Sequence, residues 1–109
     1  MPRVSLPVTK LTRDGVPPAA EQSGDPANGH ACVNSGETII EVRNAHASAL
    51  QSVTFVTPGT VDGLAIADRK VDVPAGQARR FGGFPPAVYG SVLNIDVTTA
   101  DLKLTAYEP

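Results

Sequence analysis

At 109 residues the chain is long enough for one hydrophobic core and too short for two. Apolar residues make up 41%, but aromatics only 5% with no Trp, so the core must be built from Val, Ile, Leu and Ala around Phe55, Phe81, Phe84, Tyr89 and Tyr107. A net charge of -2 disfavours nonspecific nucleic-acid binding, a single cysteine (Cys32) excludes an intrachain disulfide, and no stretch approaches the length of a membrane helix.

Residues 1–35 hold five of the ten prolines and the turn signals Asp14-Gly15, Pro17-Pro18, Ser23-Gly24-Asp25-Pro26 and Asn28-Gly29. Val4–Thr12 alternates weakly through Val4, Leu6 and Val8. Pro7 restricts it to an edge, because proline cannot donate to an interior ladder. The expectation is an extended N-terminal arm (1–35) with one short edge strand, followed by a β-domain (36–109). The opening residues carry no apolar run of signal-peptide length, which points to synthesis in the cytoplasm.

From residue 36 onward, short β-rich runs alternate with Pro/Gly punctuation at a spacing of roughly 8–12 residues, as in small sandwiches. Glu37–Arg43 places Thr38, Ile40 and Val42 on one face. Asn44–Leu50 reads as a loop with at most one helical turn. Gln51–Thr57 puts Val53, Phe55 and Thr57 on one side and ends at Pro58-Gly59. Val61-Asp62-Gly63-Leu64 is a turn. Ile66–Val73 runs into the turn Pro74-Ala75-Gly76, and Gln77–Phe81 follows. Phe84-Pro85-Pro86 is a fixed corner. Val92–Thr98 sets Leu93, Ile95 and Val97 against a polar face, and Leu102, Leu104 and Ala106 alternate with Lys103, Thr105 and Tyr107. The pattern predicts an all-β, Ig-like antiparallel sandwich of about seven strands.

No catalytic constellation overlies this pattern. His30-Ala31-Cys32 pairs nucleophile and base only in sequence, and lacks an oxyanion-forming turn. One Cys and two His (His30, His46) do not make a structural zinc set. Asp62, Asp68 and Asp72 are oxygen ligands without a calcium-loop spacing. Asp96 and Asp101 read as solvated surface rather than a glycosidase pair. Tyr89 and Tyr107 could offer ring platforms to a sugar, but suit packing better. Arg69, Lys70, Arg79 and Arg80 would share a face if their two runs formed a hairpin; otherwise they are charged edges that resist aggregation. No cofactor, metal or enzymatic activity is expected.

Leu6-Pro7-Val8-Thr9, Gly24-Asp25-Pro26, Glu41-Val42-Arg43-Asn44, Pro58-Gly59-Thr60-Val61-Asp62-Gly63, Val73-Pro74-Ala75-Gly76, Phe84-Pro85 and Leu102–Tyr107 together give the chain a further likeness. It resembles small capsid decoration (auxiliary head) proteins of tailed phages that infect actinobacteria. The resemblance implies a structural protein of the virion exterior that binds the major capsid protein and reinforces the shell, without membrane or nucleic-acid partners. Lattice symmetry suggests clustering as a trimer at local threefold positions. Candidate contacts are the arm residues Val4, Leu6, Val8 and Leu11 and the turn residues Pro58, Val61 and Asp62. Deleting residues 1–12 is then expected to abolish capsid occupancy and leave the domain folded. The Val-Pro-Ala-Gly turn is shared with bacterial Ig-like modules. A tail or head–tail connector component, or a glycan- or host-surface-binding module, therefore stays open as an alternative.

Overall fold

The computed structural model describes residues 3–58, 60–65 and 67–109. Its strands are β1 (Val4–Ser5), β2 (Val8–Lys10), β3 (Gln22–Ser23), β4 (His30–Val33), β5 (Ile39–Asn44), β6 (Gln51–Phe55), β7 (Thr60–Val61), β8 (Leu64–Ala65), β9 (Arg69–Val73), β10 (Ala78–Phe81), β11 (Val92–Val97) and β12 (Leu102–Glu108), with one helical turn, α1 (Pro86–Tyr89). Two five-stranded sheets face each other. The first runs β1-β4-β11-β6-β9; the second runs β10-β5-β12-β2, with β3 also on β12. β7 and β8 form a separate hairpin turned by Asp62 and Gly63, both at positive φ (52° and 78°), as a two-residue Asp-Gly turn requires.

The fold is an all-β sandwich, as expected, but its sheets are mixed: β1 pairs with β4 and β2 with β12 in parallel. Most of its strands are shorter and more numerous than the expected seven, because Pro and Gly interrupt the ladders. The chain interlocks at its centre. β4 pairs with β11 in one sheet, while their successors β5 and β12 pair in the other.

Period-2 alternation builds the core. Thr38, Ile40 and Val42, then Val53, Phe55 and Thr57, then Leu93, Ile95 and Val97, and finally Leu102, Leu104 and Ala106 are all buried, on the faces the sequence assigned. Phe55 is the central aromatic, with ring centroids 4.9 Å from Phe81 and 4.8 Å from Phe84. Tyr89 of α1 sets its ring edge-on to Phe84 at 5.2 Å. The helical turn sits at the expected Phe84-Pro85-Pro86 corner, where Pro86 supplies a φ already suited to a first helical position. The 45–50 segment is a loop without a helical turn.

Asn44 closes β5 with no solvent exposure. Its side-chain amide donates to the carbonyls of Ala49 (3.0 Å) and Val73 (2.9 Å), and its Oδ1 accepts from the His46 N–H (2.9 Å). Asn44→Ala strands those three groups, and is expected to lower the unfolding free energy by about 2–3 kcal/mol. Urea denaturation checks this; an unchanged midpoint would show that the loops hold themselves.

Residues 1–35, expected from the sequence as an extended arm, are instead woven into both sheets over their described part. β1 lies beside β4 in the first sheet, the chain crosses at Leu6-Pro7, and β2 lies beside β12 in the second. Leu6, 3% exposed, drops into the core at the crossing. The expected single strand Val4–Thr12 is thus split at Pro7, which ends the first pairing and frees the chain to change sheets. β4 falls within the segment expected as an extended arm; it is an interior strand between β1 and β11, with His30 and Cys32 both buried. The β9 strand begins at Arg69 rather than Ile66, a residue outside the described set, and β9 and β10 do not form a hairpin: β9 edges the first sheet beside β6 and β10 the second beside β5.

Candidate docking surface

Two open apolar grooves flank the N-terminal segment. The first, about 430 Å³, runs beneath the sheet crossing and is lined by Pro7, Val8, Ala31, Cys32, Val33 and Val92 among others. Val33 of β4 and Val92 of β11 are directly opposed in the ladder and are 66% and 48% exposed, so two branched apolar side chains stand side by side in solvent. The second, about 480 Å³, lies on the other sheet between Leu11, Val16, Pro17, Pro18, Ile39 and Tyr107. Val4 to Pro18 therefore contributes walls to both.

The predicted contact residues separate by exposure. Leu11 (43% exposed), Pro58 and Asp62 reach the surface. Leu6 does not: it is a core side chain, so it can touch a partner only if the domain opens. Val8 is half-buried against the core opposite Ala106, and Val4 is half-buried opposite His30. Val61 lies in β7, with its side chain outside the described set. Pro58 and the Asp62 hairpin follow β6 in the chain and line neither groove.

Val33 and Val92 escaped sequence reasoning. Val92 sits on the otherwise polar face of β11 with Asn94 and Asp96, and an apolar residue out of phase with its strand is the signal that could have marked it.

The reactive side chains serve structure. Burial pushes the Cys32 thiol up to about 11, so it is protonated at neutral pH and a poor nucleophile. His46 Nδ1 accepts the N–H groups of Ser48 (3.1 Å) and Ala49 (2.8 Å) and caps its loop. Asp68 accepts from the Thr57 N–H (2.9 Å) and hydroxyl (3.2 Å), and Asp72 from the Ser52 hydroxyl (2.6 Å). Asp96 is paired with Arg3 at 2.6 Å. Among the described residues, no three His, Cys, Asp or Glu side chains converge on a point where a metal could sit.

Tyr107 is half-buried, and its hydroxyl accepts the Ala19 N–H (3.1 Å); with Tyr89 packed on Phe84, neither ring is a free platform. Arg43 grips Glu21 with both arms of its guanidinium (2.8 and 2.9 Å), which holds the Glu21 carboxyl below the usual range and ties residue 21 to the outer face of β5. Arg69 and Lys70 lie on β9 and Arg79 and Arg80 on β10, so the four cations decorate the free edges of two different sheets. Compared with known protein families, curated proteins and solved structures, the chain matches none.

Proposed function

We propose that this chain is a structural protein that docks on the outer surface of a phage capsid and reinforces it, with the major capsid protein as partner. The observation that carries the reading is the exposed Val33–Val92 pair beside Pro7, an apolar patch on a rigid interior ladder. Such a patch suits burial against a flat partner better than it suits substrate chemistry. The choice of partner rests on the resemblance of the turn and strand motifs, spread over most of the chain, to those of capsid decoration proteins of actinobacterial phages. Each site can be weak, because many identical copies on a closed lattice combine into firm coverage.

The test is co-sedimentation of the purified protein with capsids of tailed actinobacterial phages, with copies counted per particle. Saturation on the order of hundreds of copies is expected, lost in a Val33→Asp/Val92→Asp double variant whose fold is intact. Saturation at about a dozen copies would replace this reading with a connector ring, and no sedimentation at all would overturn it.

A further inference from the structure

His30 is a buried titratable group that is hydrogen-bonded through both ring nitrogens. It has no solvent exposure, on an interior strand, opposite Val4 of β1 and Ile95 of β11. The backbone N–H of Asp25 points at Nε2 (2.9 Å), and an N–H can only donate, so Nε2 must carry the lone pair. The proton then resides on Nδ1, which donates to the Gln22 side-chain oxygen (2.6 Å). Gln22 in turn donates through its Nε2 to the Ser5 carbonyl (2.9 Å). One neutral imidazole thus ties the Asp25 turn, β3 and β1 to β4.

A second proton has nowhere to go. It would place an N–H on Nε2 against the N–H of Asp25, two donors facing each other without an acceptor. The charges around the ring offer little relief. Arg3, ahead of β1, repels an imidazolium. Asp96 on β11 attracts it, but is already bound by Arg3. Asp25 attracts it too, but its carboxylate is engaged by the N–H groups of Ala27 (3.1 Å) and Asn28 (3.0 Å) and by the Asn28 side chain (3.0 Å). Burial, the largest influence, together with Arg3 holds His30 below the usual histidine range despite the two carboxylates.

We propose that His30 is a proton-operated latch: neutral, it fastens the 22–29 segment to the sandwich; protonated, it releases that segment while the core stays folded. The segment covers the edge of β12, where Gln22 and Ser23 pair with Leu104 and Lys103 and the Gly24 N–H bonds to the Leu102 carbonyl (2.8 Å). Release therefore bares a short stretch of central-strand backbone able to accept another strand. This inference stands apart from the capsid reading, and its test is independent of any capsid.

The sign follows from linkage. The released form binds the proton at the ordinary histidine value and the latched form does not, so acid favours release. The opening equilibrium should rise by up to about tenfold per pH unit below about 6.5, and be flat above it. Asp25, held below the usual carboxylate range chiefly by the Asn28 side chain, and Glu21, held down by Arg43, take up protons at lower pH and leave this window clear.

Native-state amide exchange on the full chain between about pH 7.5 and about pH 5, corrected for the intrinsic rate, reads the effect. The Gly24 and Gly29 amides, which bond to Leu102 and Asp25, should lose protection below about pH 6.5, while the Leu6 and Val56 amides, bonded to Ala31 and Asn94, keep theirs. A His30→Gln variant should abolish the pH dependence, with His46 still in place as an internal control. Should that variant fail to fold, the imidazole resonances of His30 in the unaltered chain must titrate together with the same amides. Equal loss of protection at all four amides, no loss at any of them, or unchanged pH dependence in His30→Gln would each overturn the latch.

Discussion

Removing residues 1–10 should unfold the domain or lower its unfolding free energy by at least about 4 kcal/mol, a large share of what a chain this size commands. Three losses coincide. Leu6 leaves a void beneath the sheet crossing, and a buried Leu→Ala change alone costs about 2–5 kcal/mol. The carbonyls of Gly29 and Ala31 lose the N–H groups of Val4 and Leu6, bonded at 3.0 and 2.8 Å. The edge of β12 at Ala106–Glu108 loses β2. Urea denaturation of the truncated chain and of Leu6→Ala checks the claim. A truncated chain with an unshifted midpoint would mean that the crossing is ornamental. The result also changes how docking must be examined: a deletion through residue 12 cannot be assumed to leave the domain folded, whereas Val33→Asp and Val92→Asp act on the surface alone.

Phe55→Ala should be the most damaging single substitution, at about 3–5 kcal/mol. Phe55 is fully buried on β6, and its ring touches both Phe81 on β10 and Phe84 at the corner. It therefore joins the first sheet to the far edge of the second and to the corner that carries the helical turn, where Phe84 in turn meets Tyr89. Phe81 and Phe84 are held on their own elements, so truncation leaves a cavity between them. Phe55→Leu should cost clearly less, since it keeps most of the volume. Chemical denaturation of both variants decides it; equal losses would show that ring contacts, rather than filled volume, set the cost.

The alternation of β5, β6, β11 and β12 was plain in the sequence, because in those strands apolar and polar residues change places at every step and only one face can be buried. The turns at Asp62-Gly63 and Pro74–Gly76 were equally plain, since the backbone there needs those residue types. β4 was hidden for a physical reason. His30 reads as polar and loop-forming until Gln22 and Asp25 are brought to it by the fold, and those partners satisfy the ring so that it can be buried. The weak alternation through Val4, Leu6 and Val8 announced one edge strand, but its division between two sheets was hidden, because two or three residues of parallel pairing are too short to carry a period of their own. Their partners, β4 and β12, lie far along the chain, where no local pattern can announce them. Of the groove walls, Leu6, Val8 and Leu11 were among the residues named from the sequence. The Val33–Val92 pair was not, because it exists only once β4 and β11 are in register.

The interlock of β4–β5 with β11–β12 also governs how the chain acquires its shape. Each of the two linked pairs spans the gap between the sheets, so neither sheet can be completed while the other is missing. Half a sandwich has no independent existence along this route. The ladders that matter join residues some sixty positions apart, and closing such loops is paid in chain entropy before any burial rewards it. Folding is consequently slow for so small a chain and falls to one concerted event, in which the sheets are born together.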